Sequence, residues 1–177
     1  MAVASLEKIL AKIQLVIFDV DGVLTDGKLY YSNQGETIKS FHSRDGLGIK
    51  MLLNHGIKVA IITGRQSSIV SYRAKELGIN YVYQGRPNKV AAFQECLTAT
   101  GISAEHTAVM GDDINDLAIM KLAGFGVAPA NVTDELKEQV DLTTTHMGGM
   151  GAARELCDLI LKAQDKWDAA LKFYGNT

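Results

Sequence analysis

Half of the chain's twelve aspartates fall in two short windows: Asp19, Asp21 and Asp26 in one, Asp112, Asp113 and Asp116 in the other. The first window, Asp19-Val20-Asp21-Gly22-Val23, directly follows the apolar run Leu15-Val-Ile-Phe18. Strand residues two apart project to the same side, so a continuing strand would set Asp19 and Asp21 together. Two carboxylates about 4 Å apart repel by about 4 kcal/mol at an effective dielectric of 20, which calls for a cation or a shared proton. The alternative is that both acids make ordinary turn and cap hydrogen bonds. The second window, Gly111-Asp112-Asp113-Ile114-Asn115-Asp116, again links an apolar run to a helical pattern. Asp112 and Asp113 are candidate ligands, while Asn115 or Asp116 is alternatively the cap of the following helix. Two such acidic strand-end loops in one parallel sheet point to a shared Mg²⁺ site, because Mg²⁺ takes carboxylate, water and phosphate oxygens.

Donors and cations complete the set. Thr63-Gly64-Arg65 ends another apolar run, where a hydroxyl and loop amides can face an anion. Lys89 opens a helical pattern after Arg86-Pro87-Asn88. Only five arginines occur: Arg44, Arg65, Arg73, Arg86 and Arg154. A carboxylate clamp favours Arg over Lys, which makes Arg65, Arg73, Arg86 and Arg154 candidates for an anionic substrate. Arg73 has the plain alternative of a solvated helix face. Two other glycine patterns are rejected. Gly22-Val-Leu-Thr-Asp-Gly27-Lys28 has the spacing of a phosphate-binding P-loop, but Leu29 stands where Ser or Thr would hold the metal, and a hairpin pattern follows instead of a helix. Gly149-Met-Gly151-Ala-Ala153 lies too near the chain's end for a dinucleotide-binding unit.

The elements that must position these residues alternate. Strand patterns at 15–19, 59–63, 81–83, 107–110, 125–128 and, more weakly, 142–144 are separated by amphipathic stretches near 45–55, 66–78, 88–100, 115–123, 133–139 and 152–173. Such alternation, with near-continuous apolar strands, predicts an α/β, three-layer, Rossmann-like fold around a central parallel sheet. Ligands in such folds bind at the carboxyl ends of the strands, where Asp19, Thr63 and Asp112 stand. One segment, about 28–42, breaks the rhythm as a β-hairpin inserted after the first strand, turning at Asn33-Gln34-Gly35. The expected organisation is a single domain over 1–177 with a C-terminal tail from about 146.

Composition removes other classes. The chain has 177 residues, 18 Lys+Arg against 20 Asp+Glu and a net charge of −2, giving no electrostatic case for nucleic acid. At 47% hydrophobic residues it is not a disordered chain, and its longest apolar runs are too short to span a membrane. Met1–Leu10 has no basic segment before an apolar one, so no signal peptide is expected. Cys96 and Cys157 lack metal-ligand spacing and read as reduced core thiols of a cytoplasmic protein.

In order and context, Asp19-x-Asp21-Gly22-Val23, Thr63, Lys89 and Gly111-Asp112-Asp113-x-x-Asp116 resemble the four motifs of the haloacid dehalogenase superfamily of phosphotransferases. The strings Phe18-Asp-Val-Asp-Gly-Val-Leu-Thr-Asp-Gly27, Arg44-Asp-Gly-Leu-Gly-Ile49 and Gly148-Gly-Met-Gly-Ala-Ala-Arg-Glu155 are similar to a capless branch acting on sugar-acid phosphates. The resemblance implies Asp19 as nucleophile and Asp21 as general acid and base, with Thr63 and Lys89 holding the phosphoryl group. It further implies Mg²⁺ held by Asp19, the carbonyl of Asp21, Asp112 and Asp113, and Asp116 orienting Lys89. Gly22, Gly64, Arg65, Arg73, Arg86 and Arg154 are the implied substrate-binding residues. The implied reaction is hydrolysis of 3-deoxy-D-manno-octulosonate (KDO) 8-phosphate in lipopolysaccharide precursor synthesis, or of a nine-carbon sialic-type or KDN 9-phosphate. A phospho-receiver module is the non-enzyme alternative, but nothing in that design requires an acidic loop after Met110.

Only 41 residues separate Asp21 from Thr63, and 25 separate Thr63 from Lys89, so neither gap holds a cap domain. Another chain is therefore expected to cover the site. Tyr30, Tyr31, Ile38 and Phe41 give the hairpin apolar weight on both faces, and an isolated two-stranded ribbon is marginal in water. The resemblance implies a homotetramer joined through the hairpins. Gly148, Gly149 and Gly151 are expected to let the tail move, so that Arg154 reaches substrate; a plain loop and packing of the hairpin on its own chain are the alternatives.

Overall fold

The strand patterns form one six-stranded parallel sheet in the computed structural model, which describes residues 3–175. Met1 and Ala2, at the start of the expected leaderless N-terminus, and Asn176 and Thr177, at the end of the expected tail, lie outside the described residues. The sheet comprises β1 (Leu15–Phe18), β4 (Lys58–Ile62), β5 (Tyr81–Tyr83), β6 (Thr107–Met110), β7 (Phe125–Ala128) and β8 (Leu142–Thr143), in the order β5-β4-β1-β6-β7-β8. β2 (Tyr30–Ser32) and β3 (Gly35–Ile38) pair antiparallel as a separate hairpin. Both expectations, the parallel sheet and the inserted hairpin, therefore hold.

Alternate strand residues feed two cores, one on each face of the sheet. Val16, Phe18, Val59, Ile61, Ala108 and Met110 pack with α1 (Val3–Leu10), α2 (Ser43–Asn54), α3 (Ser68–Leu77), α7 (Ala152–Ala163) and α8 (Trp167–Gly175). Leu15, Ile17, Ala60, Ile62 and Val109 pack with α4 (Lys89–Thr100), α5 (Ile114–Leu122) and α6 (Asp134–Lys137). Cys96 and Cys157 are free thiols, one in each core. Among the described residues no helix is long and apolar enough to cross a membrane.

Two expectations are corrected. The apolar pattern at 152–173 is two helices, because Asp165 turns left-handed at φ 54° and the amide of Lys166 closes on Leu161 O at 2.8 Å. The Gln164 side chain fills the break by donating to Leu10 O and Ile13 O, at 3.1 and 2.7 Å. The helix α1 was not foreseen; it closes one core through Leu10, which is fully buried.

Strand register sets the working edge. Phe18 pairs with Ile61 on one side and Met110 on the other, so Asp19, Thr63 and Asp112 emerge together where the three strands end. The edge is pinned by the amides of Asp19 to Met110 O (3.0 Å), Thr63 to Tyr83 O (2.9 Å) and Gly111 to Val127 O (3.1 Å).

Candidate active site

At this edge Asp19, Asp21, Thr63, Gly64, Arg65, Lys89, Asp112, Asp113 and Asn115 line an open cavity of about 200 Å³. The strand does not continue through Asp21 as a paired-acid geometry would require. It stops at Phe18, and the carbonyl of Val20 collects the amides of Val23, Leu24 and Thr25 at 3.3, 2.9 and 3.0 Å. The buried Thr25 hydroxyl tightens this turn, accepting from Gly22 and Gly27 amides and donating to Val20 O. The two acids consequently face different partners. Asp19 is buried and ion-paired with Lys89 at 3.0 Å, whereas Asp21 contacts Lys39 of the hairpin and Arg65 Nε at 3.5 Å.

Lys89 is the first residue of α4, whose N-cap is Asn88 through its side chain to the Ala91 amide at 3.2 Å. A cation is disfavoured at a helix N-terminus and by burial. Burial alone would pull Lys89 down, yet Asp19 and Asp116 outweigh it and hold the ammonium above its ordinary range. The Lys89–Asp116 contact is 2.5 Å, and Asp116 is 1% exposed. The α5 cap, however, is neither Asn115 nor Asp116: the Asp113 side chain accepts from the Ile114 amide at 2.7 Å.

The acids outnumber the cations. Asp19, Asp112 and Asp116 each bring a carboxylate oxygen within 4.8 Å of the others. Burial and the neighbouring charges of Asp19, Asp116 and Asp113 push Asp112 up to about 7. Burial and Asp19 likewise raise Asp116, to about 6, and burial raises Asp19 against the pull of Lys89. Asp19 Oδ1 and Asp116 Oδ2 accept no hydrogen bond although both are buried; the Lys89 contact to Asp19 Oδ1 is an ion pair without hydrogen-bond alignment. A cluster of buried carboxylates short of donors fits a hard divalent cation. Gly22 makes room for the cluster, since a Cβ there would stand 1.9 Å from Asp112 Oδ2, and its φ of +90° suits glycine.

Three of the four expected arginines lie elsewhere in the chain. Arg73 pairs with Glu76 at 2.8 Å and stacks on Phe41; Arg86 makes a bidentate pair with Glu95 at 3.1 and 2.7 Å; Arg154 binds Asp158 at 2.6 Å. Carboxylates on the neighbouring helix faces account for these positions, which the sequence spacing does not reveal. Arg65 alone of the four reaches the cavity, held by Tyr31 and by Glu36 at 3.6 Å. The hairpin thus touches the site of its own chain, through Tyr31, Glu36 and Lys39. The side chain of Lys39 is 1% exposed and bridges Asp21 and Glu36, the latter at 3.0 Å. Sequence reasoning missed Lys39, because a lone hairpin lysine carries no signal until its partner 18 residues away is known. Leu29, Tyr30, Tyr31 and Ile38 remain exposed on the hairpin.

The glycine turn expected to let the tail move lies packed against the loop after β1. A Cβ on Gly148 would come 1.7 Å from Gly22 O, and one on Gly149 2.4 Å from the carbonyl carbon of Thr25. These glycines permit contact with the catalytic-edge loop; they are packed, not free.

Parallel strands ending in an acid-rich cavity, with a buried lysine and a threonine on neighbouring strand ends, define a site of the phosphoryl-transfer type. The chain belongs to the haloacid dehalogenase-like hydrolases, whose family pattern matches residues 81–156. It is 47% identical over 158 residues to the 3-deoxy-D-manno-octulosonate 8-phosphate phosphatase KdsC of Escherichia coli (strain K12), covering 89% of this chain and 84% of that one. The crystal structure of the 3-deoxy-D-manno-octulosonate 8-phosphate phosphatase from Moraxella catarrhalis, in complex with magnesium ion, phosphate ion and KDO, superposes with a TM-score of 0.93 at 42% identity, covering 98% and 99% of the two chains. The cobalt-bound deoxy-D-mannose-octulosonate 8-phosphate phosphatase (YrbI) from Haemophilus influenzae gives 0.89 at 46% identity, covering 90% and 94%.

Proposed function

We propose that this protein is a Mg²⁺-dependent phosphatase that hydrolyses KDO 8-phosphate to KDO and inorganic phosphate, in lipopolysaccharide precursor synthesis. The observation that carries the reading is the cation-hungry cluster of Asp19, Asp112 and Asp116 beside Lys89 at the strand ends. The high identity to phosphatases named for this substrate supports the choice of sugar acid.

In this reading Asp19 attacks phosphorus in line, the phosphorus–oxygen ester bond breaks, and an aspartyl phosphate forms on Asp19. Asp21 gives its proton to the departing sugar oxygen and takes one back from the water that releases phosphate. Thr63 and the Gly64 amide bind the transferring group, and Lys89, steered by Asp116, neutralises its oxygens. Asp19, Asp112 and the Asp21 carbonyl, with Asp113 in support, would hold the Mg²⁺. When bound, the ion supplies charge neutralisation to the oxygens of the transferring phosphoryl group. Gly22 leaves space for Asp112, and Arg65, the one arginine that lines the cavity, takes the substrate carboxylate. Arg73, Arg86 and Arg154 do not line this cavity and take no part in the proposal for a single subunit.

The chain works as one catalytic unit without a cap, in the cytoplasm. Four copies assemble through the exposed apolar residues of the hairpins, so that a neighbour covers the cavity and excludes water. The deciding experiment is phosphate release from a panel of sugar phosphates with Mg²⁺, with and without chelator. Release from KDO 8-phosphate, abolished by chelator, is expected. A preference for a sialic acid or KDN 9-phosphate would move the substrate, and chelator-resistant release would sink the metal-dependent reading. A phosphorylated protein that never releases phosphate would favour a receiver.

A further inference from the structure

The start of α7 is held by a residue 106 to 109 positions earlier in the chain. Gly151, the N-cap of α7, has no side chain with which to satisfy the first amides of the helix. Asp45 of α2 does so instead, accepting from the Arg154 amide at 2.8 Å and the Gly151 amide at 3.3 Å. Gly48, one turn further along α2, allows the approach: a Cβ there would stand 2.8 Å from Arg154 Cδ and 3.1 Å from Cys157 Cβ. Asp45 is itself 2% exposed. A buried carboxylate is costly unless it is bonded, and a helix N-terminus is where its charge is best compensated.

The turn leading into α7 is fixed at its other end by Glu155. That carboxylate accepts from the Thr145 amide (3.0 Å), the Thr145 hydroxyl (2.8 Å) and the His146 amide (3.1 Å), and it pairs with His146 Nδ1 at 2.6 Å. Between the two anchors the chain lies against the loop that carries Asp21. The Gly149 amide donates to Val23 O at 2.9 Å, the Gly148 amide to Asn131 Oδ1 at 2.9 Å, and Gly148 abuts the Gly22 carbonyl. Gly22 in turn abuts Asp112. A continuous set of contacts therefore runs from Asp45 through the start of α7 and the glycine turn to the backbone beside the acids.

We propose that Asp45 is a positioning residue for the reaction: by anchoring α7 it seats the Gly148–Gly151 turn on the Gly22–Asp26 loop and so sets the place of Asp21. This rests on the reading of Asp19 and Asp21 as the reacting acids. A carboxylate that only capped a helix would stabilise α7 without reaching the catalytic edge. One that braces the loop must change how the edge aligns, and small misplacements at a phosphoryl-transfer site cost rate more than binding.

The test compares Asp45→Ala and Asp45→Asn with the wild-type full chain in Mg²⁺, reading steady-state phosphate release and amide hydrogen exchange. Asp45→Ala is expected to lower kcat about tenfold or more, with KM within about threefold of wild type. Exchange should quicken in 148–154 and in 22–26 together, while α4 is unchanged. Asp45→Asn keeps one oxygen for the Arg154 amide and should recover most of the lost rate; if the Ala variant does not fold, the Asn variant is read alone for the same paired, smaller changes. For Asp45→Ala a kcat within twofold of wild type, and for either variant faster exchange confined to the start of α7 or a uniform rise across the chain, would each overturn the proposal. Should the wild-type chain release no phosphate, the reading of the site fails, and the exchange pattern still decides the brace.

Discussion

At the strand ends Lys89 pairs with two carboxylates, Asp19 and Asp116, and Asp112, the third acid of the cluster, has no ion pair among the described residues. At the neighbouring hairpin two carboxylates, Asp21 and Glu36, share two cations, Lys39 and Arg65. The first region is buried and short of positive charge; in the second, acids and cations are equal in number. Parallel strands impose the crowding at the rim, since their register delivers both acid-bearing loops, after β1 and after β6, to one edge whatever their charge. The hairpin lies outside that sheet: its Lys39 reaches Asp21, and its Glu36 meets Lys39 and Arg65, the latter carried by the loop after β4. An unbalanced rim next to a balanced hairpin is the electrostatic form of a site awaiting a divalent ion.

Replacing the attacking group is the severest way to probe the rim. Asp19→Asn is expected to lower turnover about 10,000-fold or more while leaving the circular dichroism spectrum intact. Full activity in that variant, with deamidation excluded by mass spectrometry, would remove Asp19 as nucleophile.

The next effect is on stability and carries a sign. Asp112 stands at about 7, raised from 3.8 chiefly by burial and then by Asp19, Asp116 and Asp113. Between those two values the metal-free folded chain holds a proton that the unfolded chain has lost, so its stability falls as pH rises through about 7. Asp116, raised to about 6, acts in the same direction. In chelator the Tm should therefore be higher at about pH 5.5 than at about pH 8 as far as these groups decide it. Saturating Mg²⁺ at about pH 8 should add about 2.7 kcal/mol at a hundred times its Kd, or about 5–10 °C in Tm. A Tm indifferent to Mg²⁺ would mean that the rim is not short of positive charge.

The hairpin gives the smallest of the three. Lys39→Met takes one cation from a balanced set and is expected to cost about tenfold in kcat, close to 1.4 kcal/mol, through a less well-oriented Asp21. A loss as large as that of Asp19→Asn would erase the distinction between the two regions and place Lys39 in the chemistry itself.

Much of the catalytic edge was legible without coordinates. Asp19, Thr63, Lys89 and Asp112 stand immediately after strands or at the start of a helix, and strand-end loops of a parallel sheet converge by construction. The arginines were less legible: Arg73, Arg86 and Arg154 have the right chemistry, but their direction depends on which acid each helix face presents, Glu76, Glu95 or Asp158. The glycine turn before α7 misled for a related reason, since glycine permits mobility and close packing alike, and only the presence of Gly22 and Thr25 against it selects packing.

By itself the amino-acid sequence determined the alternation of strands and helices, the interposed hairpin, the absence of room for a cap between the motifs, and the acids at the strand ends. These follow from periodicity and spacing, which are local properties of a chain. Tertiary structure alone decided that Asp19 and Asp21 answer to different cations, that Asp116 joins the acid cluster while holding Lys89, that Lys39 touches Asp21, and that Asp45 caps a helix more than a hundred residues away. Such pairings join distant segments through the packing of whole helices on the sheet, and no local pattern encodes which buried charge will meet which partner.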